Sequence, residues 1–188
     1  QEMSRGLGDV YKRQLLRRYL KNETAKLHKE GVRLKFIGRR DRLAKDIVAQ
    51  MCAIEELTAS NTGSTLVLAL DYGGCWDISQ AAQKLVDDAL QGAIDATAID
   101  ESVFAGYLSL AGLPAPDLCI RTGAEQRISN FLLWDIAYAE LYFSDCYWPD
   151  FDEQQFEMAL AEYSLRQRRY GRTSNQVDGQ QVHSSVES

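Results

Sequence analysis

Leu15, Leu16, Tyr19, Leu20 and Leu27 recur at helical spacing with mostly charged residues between them, the pattern of one face of an amphipathic helix. Gly31 stands where such a helix takes its carboxy-terminal cap. Val32, Leu34 and Phe36 then alternate with Arg33 and Lys35, which puts the three apolar side chains on one strand face. From Asp41 to Ala59 the period is helical again, with Leu43, Ile47, Met51, Ile54 and Leu57 on one side and Asn61-Thr62-Gly63 closing the segment. The unbroken apolar run from Thr65 to Leu70 reads as a strand buried on both faces. It delivers the chain to a glycine turn, Asp71-Tyr72-Gly73-Gly74, after which Asp77 is expected to cap a helix reaching about Leu90.

A shorter helix is expected near Glu101–Leu110, ended by Pro114 and Pro116. Asp117-Leu-Cys-Ile reads as a third strand that ends in Arg121-Thr122-Gly123. Phe131–Tyr138 is expected to be helical, Leu141-Tyr-Phe a short strand, and Phe156–Tyr170 the last helix. Strands alternating with helices imply an α/β fold with a mainly parallel sheet flanked by helices. Ligands of such sheets bind beyond the carboxyl ends of the strands, where the 71–74 and 121–123 turns are expected. Residues 1–14 carry no sustained period and read as a non-native leader outside the fold. The polar stretch 173–188 is expected to be a disordered tail, leaving one domain over 15–172.

Composition narrows the class. Hydrophobic residues make up 45% of the 188 and charged residues 26%, as in soluble globular proteins. No apolar run approaches the roughly 18 residues of a membrane-spanning helix, and no secretory signal pattern is visible. Cys52, Cys75, Cys119 and Cys146 form no CxxC pair, which points to reduced thiols in a cytoplasmic protein. The net charge of −6 conceals an asymmetry, since 14 of the 21 Lys and Arg lie in residues 1–45. That basic front reads as a solvated helix face. It lacks the interleaved aromatics of a stacking platform, so nucleic acid is not an expected partner.

Between 46 and 165 only three cations occur: Lys84, Arg121 and Arg127. Two of them flank one strand-end loop, a placement that suits a bidentate grip on phosphate or carboxylate. Ser129 and the amides of a following helix start could complete an anion site. Pairing of each arginine with Asp117, Glu125 or Asp135 is the alternative. Glu140 lies in an otherwise apolar stretch, where a carboxylate needs a partner. A magnesium ion shared with substrate phosphates would serve, as would a salt bridge to an arginine. His28 and His183 read as solvated, and no P-loop or GxGxxG is present.

Residues 117–151, DLCIRTGAEQRISNFLLWDIAYAELYFSDCYWPDF, are similar almost residue for residue to the signature region of the cis-prenyltransferase family. Within it they resemble the undecaprenyl diphosphate synthases, whose motifs run IRTGGE, RISNFLLW, AYAELYF and WPDF. The similarity extends from about Leu15 to Gly171 and includes RLKFIG at 33–38, LTASNTG at 57–63 and DYGGCWDI at 71–78. Departures are Ala124 for the second glycine of RTGG, Gln126 for histidine, and Asp71 and Cys75 for the Asn and Arg of NYGGR.

The resemblance implies a magnesium-dependent homodimeric enzyme that adds isopentenyl diphosphate units in cis to farnesyl diphosphate. The product, undecaprenyl diphosphate, is the lipid carrier precursor of cell-wall synthesis. By position, Arg121, Arg127 and Ser129 would hold the diphosphate of isopentenyl diphosphate. Glu140 would bind Mg²⁺ across the dimer interface. Arg169 and Gly171 fall in the RxG element that reaches a neighbouring subunit's site. Val32, Leu34 and Phe36 resemble the wall of the product tunnel, with a core role equally open. A cytoplasmic location with transient contact at the inner membrane face follows from the apolar product. The family's amino-terminal strand and loop, with its DGNGRWA motif and metal-positioning Asp, has no counterpart in the 188 residues. The domain is therefore expected to be incomplete, with an exposed sheet edge, and inactive when expressed alone. The rival reading is a non-catalytic partner subunit, although such subunits tend to lose the arginines that are present here.

Overall fold

The computed structural model describes Arg18 and residues 22–166. Its contacts form two compact units that divide between Ala111 and Gly112. Leu15, Leu16, Tyr19, Leu20, Arg169, Gly171 and His183 lie outside the described residues.

The first unit opens with helix α1, described over 22–29. Gly31 ends it at φ 75°. Its N–H donates to His28 O and the Val32 N–H to Leu27 O, the paired closure that a left-handed residue after a helix permits. Strand β1 (Arg33–Ile37) follows and pairs in parallel with β2 (Thr65–Ala69), Arg33 opposite Thr65 and Ile37 opposite Ala69. Helix α2 (Lys45–Thr58) makes the crossover, preceded by a 3-10 turn at Arg40–Arg42. Leu34 and Phe36 are buried in one cluster with Ile47, Met51 and Ile54, and Leu27, Leu43, Leu66 and Leu68 pack against it. The apolar alternation of β1 thus meets the helical stripe of α2, except that Leu57, expected on that side, is exposed.

Side chains of α2 also satisfy the edge of β1 that faces away from β2. The Leu34 N–H donates to Thr58 Oγ1 at 3.0 Å, and the Phe36 N–H to Glu55 Oε1 at 2.8 Å. Arg40 Nη2 bonds both Glu55 oxygens, at 2.7 and 2.8 Å, and the Phe36 carbonyl at 3.1 Å. These partners satisfy backbone groups of that edge among the described residues. By contrast β2, expected to be buried on both faces, is only half-buried at Leu66, Val67 and Leu68 and exposed at Thr65 and Ala69. Its sheet has two strands, and the α2 cluster covers one face.

Helix α3 (Gly74–Leu90) starts three residues before the expected cap, with Gly73 in the N-cap position. Asp77 is instead buried in its first turns, where it accepts hydrogen bonds from Tyr72 and Ser109. Helix α4 is shorter than the periodicity implied, Glu101–Ala105, and Asp100 caps it by accepting the Val103 N–H at 2.8 Å.

The second unit pairs β3 (Leu118–Arg121) in parallel with β4 (Glu140–Phe143), and α5 (Glu153–Leu165) follows. Asp152 caps α5 through the Gln155 N–H, which is why that helix starts ahead of Phe156. Phe131–Tyr138 is not helical; it forms consecutive turns. Ser129, Asn130 and Leu132 have φ of 47°, 64° and 44°, and left-handed residues interrupt the repeat a helix requires. Both units are thus α/β with parallel strand pairs and helices. Among the described residues no helix is long and apolar enough to cross a membrane.

Candidate functional site

In the first unit, the turn after β2 is one candidate. Asp71 is held at φ 48°, and its carboxylate pairs with Arg42 at 3.3 Å. Gly38, at φ 112°, lies so close to this turn that a Cβ would collide with the Leu70 carbonyl oxygen. A glycine is therefore required at the end of β1. Tyr72 donates its hydroxyl proton to Asp77 Oδ2 at 2.9 Å. Asp77 also accepts from Ser109, through the N–H at 3.1 Å and the hydroxyl at 2.7 Å. A buried carboxylate is tolerable when its oxygens are so supplied. It ties the turn to the segment after α4.

The second unit contains most of the residues singled out in the sequence. Arg121 ends β3 and is half-buried. Its Nε is buried without a hydrogen-bond partner, and no ion pair of this side chain occurs among the described residues. It lines a cleft of about 240 Å³ with Cys119, Thr122, Ile128, Phe131 and Trp148 among its walls. Burial pushes the Cys119 thiol up, and the nearby Arg121 guanidinium partly offsets this. A buried, unpartnered guanidinium nitrogen is costly unless an anion completes it.

Arg127 differs. Its side chain is 71% exposed and pairs with Glu125 at 2.6 Å, so the local pairing weighed for both arginines holds for this one. Ser129 is exposed. The amides of Gly123 and Ala124 donate to Cys146 O at 2.8 Å and Ser144 O at 3.1 Å. They are therefore not open to an anion, nor is there a helix start after Ser129.

Glu140 begins β4 opposite Leu118, whereas Arg121 lies opposite Phe143. Three register steps put the two groups at opposite ends of the ladder, roughly 10 Å apart along it. Glu140 Oε2 accepts from Arg166 Nη1 at 3.1 Å. Sequence reasoning missed Arg166 because the pair is 26 residues apart; the first cation of a basic run closing an acidic helix was the available signal. Val32 is half-buried, while Leu34 and Phe36 fill the α2 core.

No group of three or more His, Cys, Asp or Glu able to hold a metal occurs among the described residues. Glu140 offers one hard carboxylate whose contacts there fall on Oε2 alone. That donor set fits a magnesium ion brought by a diphosphate, which needs only one or two protein carboxylates. It does not fit an all-protein cage.

Residues 7–171 match the prenyltransferase family model described as undecaprenyl diphosphate synthase. The chain is 50% identical over 161 residues to the ditrans,polycis-undecaprenyl-diphosphate synthase of Pseudomonas aeruginosa, specific for (2E,6E)-farnesyl diphosphate, covering 86% of this chain and 64% of that one. It is also 50% identical over 163 residues to an isoprenyl transferase of Neisseria gonorrhoeae, covering 86% and 63%. The chain thus spans a little under two thirds of the length of these relatives. The crystal structure of lavandulyl diphosphate synthase from Lavandula x intermedia, in complex with dimethylallyl diphosphate, superposes with a TM-score of 0.80 at 33% identity, covering 84% of this chain and 69% of that one.

Proposed function

This chain belongs to the undecaprenyl diphosphate synthase family of prenyltransferases, and from that membership we propose that the protein adds isopentenyl diphosphate in cis to farnesyl diphosphate. Each cycle breaks the allylic carbon–oxygen bond, forms a carbon–carbon bond to the isopentenyl double bond and releases diphosphate and a proton. Repeated, it builds undecaprenyl diphosphate. The observation that carries the reading is Arg121, whose buried Nε has no hydrogen-bond partner among the described residues and lies beside a largely apolar cleft. A charged diphosphate and an apolar isoprenoid need those two surroundings side by side.

In this reading Arg121 grips the isopentenyl diphosphate, and Arg127 exchanges its exposed Glu125 partner for the same phosphate with Ser129 beside it. Glu140 holds magnesium, which when bound neutralises diphosphate charge. In the same reading Glu140 serves a second subunit of a homodimer, as would Arg169 and Gly171, and its separation from Arg121 along the β3–β4 register supports this. The second unit also exposes large apolar side chains, including Tyr138, Tyr147 and Trp148. The protein works in the cytoplasm and touches the inner membrane face when it releases its apolar product.

Calorimetric titration with isopentenyl diphosphate in the presence of magnesium tests this. Arg121→Ala should weaken binding by more than about tenfold, the scale of a lost charge-assisted pair. Arg127→Ala should weaken it less. Unchanged affinity in Arg121→Ala would remove the basis of the assignment.

A further inference from the structure

One guanidinium serves two carboxylates at the start of β4. Arg166 Nη1 donates to Glu140 Oε2 at 3.1 Å and to the Leu141 carbonyl at 2.9 Å. Its Nη2 donates to Glu162 Oε1, one helical turn back. The backbone of Arg166 caps α5, its N–H donating to Tyr163 O at 3.1 Å. The end of α5 is thereby fastened to the first residues of β4. The Arg166 and Glu140 side chains are 35% and 25% exposed, sheltered enough for the pair to hold yet open to a ligand.

Without that guanidinium, Glu140 and Glu162 would be two hard oxygen donors on either side of the place it fills, which a divalent cation could bridge. With it, a bare cation must break a charge-assisted pair and approach a like charge. A cation carried on diphosphate meets a different balance. It is anionic overall, so the displaced guanidinium gains a phosphate, for which its planar fork is suited.

We propose that Arg166 is the positioning residue of the Glu140 carboxylate, an internal counter-cation that withholds it from free divalent ions and releases it to a cation–diphosphate complex. On that complex the partners exchange: Glu140 passes to the metal and Arg166 to a phosphate oxygen. Binding of metal and diphosphate is thereby coupled, and free magnesium cannot lodge at the site. The inference rests on the reading of Glu140 as a magnesium ligand.

Mn²⁺ titration of the full chain by electron paramagnetic resonance, with and without inorganic pyrophosphate, separates the two claims. Wild type should bind bare Mn²⁺ weakly and gain affinity with pyrophosphate. Arg166→Gln should bind bare Mn²⁺ about tenfold more tightly, the scale of one removed competing ion pair, and lose most of the pyrophosphate-dependent gain. Adding Glu140→Gln to that variant should abolish the new binding. Arg166→Lys keeps the charge and should hold bare-ion affinity at the wild-type level, while, lacking the planar fork, it should lose part of the pyrophosphate-dependent gain, and circular dichroism establishes that each variant is folded. Bare-ion affinity that is unchanged or lower in Arg166→Gln overturns the proposal. A tenfold rise in Arg166→Lys overturns it as well, and does so whether or not the glutamine variant folds. If Glu140→Gln alone leaves pyrophosphate-dependent Mn²⁺ binding intact, the metal-ligand reading of Glu140 fails instead.

Discussion

Removing the carboxylate of Asp77 should destabilise the first unit more than any surface change. Asp77 is 3% exposed and accepts from Tyr72 and twice from Ser109. A hydrogen bond to a charged acceptor contributes about 1.5–3 kcal/mol net. The three are not additive, because both Ser109 donors converge on Oδ1. Tyr72 and Ser109 are themselves half-buried, so water can reach part of what Asp77→Ala leaves unpaired. The expected loss is therefore about 3 kcal/mol, nearer one full bond plus a partly desolvated donor than the sum of three. Asp77→Asn retains one carbonyl acceptor for Ser109 and should lose about 1 kcal/mol. Tyr72→Phe should also cost about 1 kcal/mol, and its combination with Asp77→Ala less than the sum, since both remove one bond. Urea unfolding followed by circular dichroism measures all four variants. Trp76, packed edge-on against Tyr72 with ring centroids 6.5 Å apart, gives a fluorescence signal from the turn itself. An Asp77→Ala chain within about 1 kcal/mol of wild type would refute the claim that this carboxylate holds the 71–74 turn.

Two further outcomes follow from local structure. Ala124 sits at φ 58°, so Ala124→Gly should relieve left-handed strain and raise stability by up to about 1 kcal/mol in urea unfolding; a loss would mean that the Ala124 methyl packs productively. Burial holds the folded Cys119 thiol above its ordinary 9.0, so the folded chain keeps that proton longer than the unfolded chain. Its contribution is then complete below 9.0 and is lost as pH rises through the raised value. Cys119→Ala should flatten the decline in unfolding free energy as pH rises above 9.0, and an identical decline in both chains would contradict this.

Local chemistry in the sequence determined much of this protein by itself. The β1 alternation, the α2 stripe and the Gly31 cap each depend on residues within a turn or two, so they can be read from spacing alone. The ordered motifs from Arg121 to Phe151 likewise pointed to an arginine at a strand end, and Arg121 stands there. Tertiary structure decided what distant residues do to one another. Asp77 read as a cap because helix starts favour aspartate, but Ser109, 32 residues on, supplies two of its donors. Phe131–Tyr138 carries a helical apolar spacing, yet left-handed residues at 129, 130 and 132 break it into turns. The packing of α2 decided which side chains meet Leu34 and Phe36, namely Ile47, Met51 and Ile54 in one buried cluster. The register of β3 on β4 set Glu140 at the end away from Arg121 and within reach of Arg166. Strand register and ion-pair choice are settled by packing between segments far apart in the chain, and no local period encodes them.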